Sequence, residues 1–105
     1  MSVLCRFEIL LPLRFNDGSA VPRELIAQTV GELENQFGAV TWETQVLQGS
    51  WRHEGRTYHD ELVKIFVDAE DNQPNRAFFK QYKNELKSRF RQIDIWLTVH
   101  PIETI

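Results

Sequence analysis

The residues with the greatest capacity for chemistry stand near the middle of the sequence, where His53 and His59 are close to Asp60 and Glu61. Imidazole nitrogens and carboxylate oxygens are common ligands of divalent metals. A metal site needs two or three such groups that converge and are held by further hydrogen bonds. Because side chains alternate along a strand, Asp60 and Glu61 point to opposite faces, and His53 falls at a hairpin tip. We interpret the group as polar decoration of a hairpin, and we expect no metal site and no cofactor.

Nucleophiles and acid–base pairs give a similar result. Cys5 is the single cysteine and lies on the predicted core side of the first strand, where a thiol is usually an inert packing group. The best acid–base grouping is Glu8 with His100 and Trp96 on an adjacent strand. A polar interface contact accounts for these residues without catalysis. We therefore assign no catalytic residue, and whether the protein is an enzyme stays open.

Hydrophobic periodicity predicts the elements that position these residues. Alternation of apolar and polar residues predicts strands, and apolar residues repeating every three or four positions predict helices. In chain order the elements are a strand over 3–13, a helix over 22–37, strands over 40–52 and 57–67, a helix over 74–92 and a strand over 93–99. This order predicts a ferredoxin-like β-α-β-β-α-β sandwich of the α+β class. Its four-stranded antiparallel sheet has the first and third strands in the centre and both helices on one face.

A long hairpin joins the second and third strands at Glu54-Gly55, where a two-residue turn and a type I turn with a bulge both fit. A two-residue connection aligns apolar residues with apolar residues along one whole face, and a slip of one residue would destroy that agreement. The predicted pairs are His53–Arg56, Trp51–Tyr58, Leu47–Leu62, Val46–Val63, Thr44–Ile65 and Trp42–Val67. Trp51 and Tyr58 form an aromatic pair that stiffens the hairpin.

The strand face turned away from the helices, here called the open face, is unusually rich in large apolar groups. It is predicted to carry Leu4, Arg6, Glu8, Leu10, Leu47, Trp51, Tyr58, Leu62, Lys64, Phe66, Trp96 and His100. About seven large apolar or aromatic side chains exceed what a soluble monomer normally leaves in water. We expect a second copy of the chain to cover this face as a homodimer, with a small-molecule ligand or another macromolecule as alternatives. Arg6, Glu8, Lys64 and Asp94 can pair there across neighbouring strands, and the alternative is a solvated charge ladder without specific pairs.

The second helix has the strongest local charge signal. Between residues 74 and 92 there are six basic residues and one acid, in a chain whose net charge is −3. A basic stripe at helical spacing is predicted for Arg76, Lys80, Lys83, Lys87 and Arg91. Such a stripe can bind phosphates, but the acidic total makes nucleic-acid binding the less favoured interpretation.

Length and composition indicate the class of protein. A chain of 105 residues with 42% hydrophobic and 26% charged residues is typical of one soluble globular domain, here spanning 1–105. No apolar run is long enough to cross a bilayer, and Arg6 and Glu8 interrupt any secretory signal. We therefore expect a cytoplasmic protein without membrane partners.

Several short motifs resemble a family of small bacterial proteins that carry a domain of unknown function. The motifs are Gly49-Ser50-Trp51, Gly55, Glu61 with Lys64, Tyr82-Lys83 and Arg89-Phe90-Arg91-Gln92. They extend from about residue 33 to residue 99. The resemblance implies a ferredoxin-like fold and a bacterial source, and it implies no activity.

Three functional hypotheses follow. The leading one is a non-catalytic, self-associating binding module that uses its open face. The alternative is a dimeric α/β-barrel type of cofactor-free enzyme, an oxygenase or isomerase, with a pocket on the same face. The third is weak nucleic-acid binding through the basic stripe.

Overall fold

The computed structural model describes residues 3–105, which form two helices and an antiparallel sheet. The elements are β1 (Leu4–Pro12), α1 (Arg23–Phe37), β2 (Thr41–Trp42), β3 (Leu47–His53), β4 (Arg56–Glu70), α2 (Gln73–Arg89) and β5 (Trp96–Ile102). The ferredoxin-like α+β class and the order of elements are confirmed. The strand count differs from the prediction, because the expected second strand is divided into β2 and β3.

The sheet has the order β2-β4-β1-β5. β3 pairs with the same edge of β4 as β2 does, so β2 and β3 together form one interrupted edge strand. β1 and β4 are therefore central, as the sequence predicts. The last pair between them is Pro12 with Leu62, so the start of β4 extends past the end of β1 with only β3 beside it. This hairpin projects from the body of the molecule, which measures 46 × 29 × 25 Å.

The hairpin register is confirmed over β3, where His53 pairs with Arg56, Trp51 with Tyr58 and Leu47 with Leu62. The predicted pairs beyond Leu47 are wrong, because Trp42 lies opposite Ile65 and not opposite Val67. Four residues separate Trp42 from Leu47, whereas only two separate Leu62 from Ile65 on β4. Residues 43–46 therefore contain two extra residues that leave the ladder. A shift of two keeps each side chain on its original face.

The helix ends follow local backbone chemistry. Gly38 ends α1 with a φ of 81°, because a left-handed C-cap favours glycine. Asn72 caps α2, and its side chain accepts a hydrogen bond from the Asn75 backbone N–H at 2.9 Å. α2 ends at Arg89 and not at residue 92, since Arg91 has a φ of 52°.

The core lies between the helices and the inner face of the sheet. Phe7 of β1 stacks on Phe79 of α2 with ring centroids 4.1 Å apart, and Cys5 is buried on the same side. Burial raises the pKa of the Cys5 thiol, which keeps it neutral. The buried core residues are Cys5, Phe7, Ile9, Leu11, Val21, Leu33, Ile65, Val67, Phe79, Tyr82, Leu86, Phe90 and Ile95.

A polar network connects α1 to α2 beside this core. The Arg89 guanidinium contacts Glu32 at 2.7 Å and donates to the Thr29 hydroxyl at 2.9 Å. The Tyr82 hydroxyl donates to Glu32 at 2.8 Å. Burial and this hydrogen bond raise the pKa of Tyr82, so the phenol stays neutral. Sequence reasoning counted Arg89 among the basic residues of the second helix and named it in the resemblance motif, but it missed the network.

Candidate functional site

The open face lies opposite the helices, as the alternation along β1 predicts. Arg6 and Glu8 are partly exposed, whereas their neighbours Phe7 and Ile9 are buried in the core. The exposed fraction of Trp96 is 65%. The remaining apolar members of the open face are only partly exposed: Leu4, Leu10, Leu47, Trp51, Tyr58, Leu62 and Phe66.

Arg6 is held over this face by two contacts. Its guanidinium makes a two-bond ion pair with Asp68, at 2.8 and 3.0 Å. It also lies 4.1 Å from the ring centroid of Phe66, a cation–π distance. The pKa of Arg6 is raised by its hydrogen bonds to Asp68. Arg6 therefore covers part of Phe66 and brings no unpaired charge to the surface.

The charged pairs of the open face differ from the predicted cross-strand set. Lys64 contacts Glu43 in the β2–β3 connection at 3.7 Å, and Asp94 contacts Lys83 of α2 at 3.1 Å. Both partners come from outside the strands that sequence reasoning considered. The expected pairing among Arg6, Glu8, Lys64 and Asp94 is therefore wrong.

Glu8 and His100 do meet, although in an open position. A Glu8 carboxylate oxygen lies 3.4 Å from His100 Nε2, and their side chains are 24% and 50% exposed. The Thr98 hydroxyl is also 2.8 Å from His100 Nε2. Trp96 is paired with Leu10 and not with Glu8. This grouping lacks the enclosure that strongly perturbs acid–base groups.

The hairpin aromatic pair of Trp51 and Tyr58 forms as predicted. Their rings are stacked, with centroids 4.5 Å apart and planes at 16°. The Trp51 Nε1–H donates to an Asp60 carboxylate oxygen at 2.5 Å. The stack and the hydrogen bond together fix the orientation of the Trp51 indole.

A cavity of about 580 Å³ opens where the hairpin, the open face and the α2–β5 connection meet. We call it the hairpin cavity, and its lining residues are Leu10, Pro12, Gly49, Ser50, Trp51, His53, Asp60, Leu62, Gln92, Ile93, Asp94, Ile95 and Trp96. Of the predicted open-face residues it takes Leu10, Trp51, Leu62 and Trp96, but Glu8 and His100 are not part of its lining. Sequence reasoning missed the cavity, because it assigned residues 92–95 to a helix and a strand. In the structure these residues connect α2 to β5 and form one wall of the cavity.

The Gln92 side chain helps to shape that wall. Its amide nitrogen donates to the Phe90 carbonyl at 2.9 Å, which satisfies a backbone group at the helix end. Arg91 takes the left-handed conformation between them. The chain then turns from α2 toward β5 along the cavity.

The basic stripe is shorter than predicted. Arg91 lies beyond the end of α2, and its guanidinium is 4.6 Å from the Phe15 ring centroid, so its assignment to a helical stripe is wrong. Arg76 is paired with Asp71 at 2.7 Å, and Lys83 with Asp94. Within residues 3–105, Lys80 and Lys87 have no ion-pair partner. Two such lysines make a weak phosphate-binding surface.

The histidines of the hairpin do not gather into a metal site. His53 Nε2 lies 3.8 Å from a Glu54 oxygen, and Asp60 is bonded to Trp51. Among the described residues, no three His, Cys, Asp or Glu side chains are placed to hold a metal ion. Over the same range, neither helix combines the length and the apolar character needed to span a membrane.

Comparison with known proteins defines the class of fold. No family model and no curated protein matches this sequence. CutA1 from Oryza sativa is similar with a TM-score of 0.66 at 9% identity, over 99% of this chain and 84% of that one. A phage SAM lyase in complex with S-methyl-5'-thioadenosine has a TM-score of 0.67 at 13% identity, over 96% and 83%. The divalent cation tolerance protein CutA1 of Thermus thermophilus has a TM-score of 0.60 at 15% identity, over 97% and 86%.

These likenesses establish the fold alone, since each identity is low. The chain is a small ferredoxin-like α+β domain of the shape that CutA1 proteins and the phage lyase also adopt. Its resemblance to the bacterial family with a domain of unknown function stays a prediction.

Proposed function

We propose that the protein is a self-associating binding module whose open face packs against the open face of a second copy. The observation that carries this proposal is the apolar and aromatic character of the open face, on which Trp96 is 65% exposed. The total surface is in keeping with it, since the chain exposes 7061 Å², whereas a monomeric protein of this mass exposes about 6,100 Å².

The elongation of the chain supports the same proposal. Its radius of gyration is 14.3 Å, against about 13 Å for a compact domain of this length. The projecting hairpin accounts for this difference in the radius of gyration. Its aromatic pair, Trp51 and Tyr58, is supported only by β3 and β4. A second copy against the open face would cover this region.

The chemistry of the open face also suits burial. Trp96 offers a large exposed ring, and aromatic residues and arginine are enriched in interfaces. Two charged groups of the face are already paired within one chain, Arg6 with Asp68 and Lys64 with Glu43. Covering these two side chains therefore leaves neither of their charges uncompensated, which is the expensive case. A two-fold axis would place the same surface on both sides of the contact.

Sedimentation equilibrium at micromolar concentration tests the proposal. We expect twice the mass of 12.4 kDa for the parent chain and a monomer for Trp96→Glu. Trp42→Glu is the matched control, because Trp42 is also an exposed tryptophan (49%) but lies beside α1 on the opposite face. A parent chain that sediments as a monomer, or a Trp42→Glu variant that dissociates equally, contradicts the proposal.

A cytoplasmic location in a bacterial cell belongs to the same proposal. It is supported by Cys5, which is a free and buried thiol. Cytosolic proteins usually keep their cysteines reduced.

The second candidate function is that of a cofactor-free enzyme, and the hairpin cavity is the observation that favours it. Its acid–base groups would be Asp60, Asp94 and His53 from the cavity lining, since Glu8 and His100 lie outside it. S-methyl-5'-thioadenosine, the ligand of the phage lyase, is a suitable first compound. A rise in melting temperature that Asp60→Ala removes would support this candidate, and an unchanged melting temperature at millimolar ligand would argue against it.

A further inference from the structure

We propose that the hairpin cavity binds a small organic cation with a planar or apolar body, held by the Asp60 carboxylate and the indole rings of Trp51 and Trp96. The cavity shares Leu10, Leu62 and Trp96 with the open face, so the test below measures ligand binding and self-association in the same samples.

The charge of the cavity favours a cation. Asp60 accepts a hydrogen bond from Trp51, and within residues 3–105 it forms no ion pair. The other lining carboxylate, Asp94, is already neutralised by Lys83 at 3.1 Å. His53 faces Glu54 at 3.8 Å. One uncompensated negative charge is therefore left in a lining that is otherwise mainly apolar.

The two indoles supply the second part of the recognition. Tryptophan is the strongest cation–π partner among the aromatic side chains. Trp51 is held by its stack on Tyr58 and by the hydrogen bond to Asp60, so its orientation is fixed and the ring face opposite Tyr58 is the one that can meet a cation. Trp96 lies at the rim with 65% of its surface exposed and can pack on a ligand without displacing a neighbour.

The apolar lining and the size set the remaining chemistry. Leu10, Leu62 and Ile93 provide contacts for an uncharged body. A volume of about 580 Å³ falls within the usual range for small-molecule sites. An anion would be repelled by Asp60, and a neutral apolar molecule would cover this carboxylate without giving it a partner. An aryl or alkyl amine, amidinium or quaternary ammonium satisfies all three conditions: a positive charge for Asp60, a contact for the indole rings and an uncharged body for the apolar lining.

Titration of ¹⁵N-labelled protein with benzamidine, a planar cation, and benzamide, its neutral near-isostere, tests the site. The chain has three indole N–H signals, from Trp42, Trp51 and Trp96. We expect benzamidine to shift the signals of Trp51 and Trp96 saturably, with a dissociation constant of about 1 mM or below. Trp42 lies outside the cavity lining and should not respond. Benzamide should bind at least about tenfold more weakly, because it offers no charge to Asp60.

Asp60→Asn separates charge from shape, since the asparagine carbonyl oxygen can still accept the Trp51 N–H. We expect this variant to bind benzamidine about tenfold or more weakly and to lose the preference over benzamide. Asp94→Asn is the matched control and should change the affinity less than about threefold, since Lys83 already neutralises Asp94. Retained dispersion of the spectrum establishes that each variant is folded.

Three results would overturn the inference: equal affinity for the two probes, an unchanged affinity in Asp60→Asn, or no saturable shift at ten times the expected constant. Sedimentation of the same samples keeps this proposal apart from self-association. A monomer that binds benzamidine would remove only the self-association, and a dimer that does not bind it would remove only the cation site.

Discussion

Removing the two partners of the ion pair between α1 and α2 should have unequal costs. The Arg89 side chain is 13% exposed and the Glu32 side chain 38%. Without Glu32, the nearly buried guanidinium keeps the Thr29 hydroxyl, at 2.9 Å, and the Tyr82 ring, whose centroid is 5.9 Å away, but no negative charge. Without Arg89, the carboxylate keeps the Tyr82 hydroxyl and has access to water. The first change leaves an uncompensated buried charge, and the second does not.

The magnitudes follow from this difference. Breaking a fully buried pair costs about 3–5 kcal/mol, and the partial exposure here reduces the range. We expect Glu32→Met to lower the free energy of unfolding by about 2–3 kcal/mol and Arg89→Met by about 1 kcal/mol. The double variant should be more stable than Glu32→Met alone, because methionine at both positions removes the stranded charge.

Urea denaturation at pH 7 and one fixed protein concentration measures these values, since self-association would otherwise contribute by mass action. Glu34→Met is the control, as an exposed glutamate of the same helix, and should change stability by less than about 0.5 kcal/mol. Equal costs for the two single variants, or a double variant less stable than Glu32→Met, would refute the argument from burial.

The remaining predictions concern pH and the helix ends. Burial raises the pKa of Glu32, but hydrogen bonds from Arg89 and Tyr82 outweigh it, so the pKa lies below its ordinary 4.5. The stability from Glu32 is therefore complete above that value and is lost as pH falls further; urea denaturation between pH 6 and 3 should show the advantage of the parent over Glu32→Met shrinking in acid. Asn72→Ala should cost about 1 kcal/mol in urea by removing the α2 cap, whereas Asn84→Ala, on the exposed side of that helix, should cost nothing. Gly38→Ala should cost about 1 kcal/mol in the same assay, because its φ of 81° is unfavourable for a side chain; an unchanged midpoint for either cap variant would contradict its role.

Local pattern was sufficient for the hairpin near its turn but not at its far end. Trp51 and Tyr58 pair as expected because a two-residue turn sets the register of the residues beside it. Trp42 lies opposite Ile65 because residues 43–46 leave the ladder. An alternating pattern gives no sign of two extra residues, since a shift of two positions leaves every side chain on the same face of the sheet.

The partners of charged residues were the least predictable feature. Lys64 pairs with Glu43 in a connection, and Asp94 pairs with Lys83 of a helix. A side-chain contact of 3–4 Å depends on where loops and helices settle after packing, which strand neighbours alone do not reveal. Arg89 had the appearance of one more solvated base, yet it is mostly buried against Glu32.

The type, order and facing of the strands and helices were determined by the sequence alone, because a period of two or of 3.6 expresses the geometry of the local backbone. That is why Cys5 could be assigned to the core side and Trp96 to the opposite face. The hairpin cavity was decided only by the tertiary structure. Its walls join Leu10, Trp51, Leu62 and the stretch 92–96, which are far apart in the chain and meet only when the projecting hairpin and the turn after α2 are both in place.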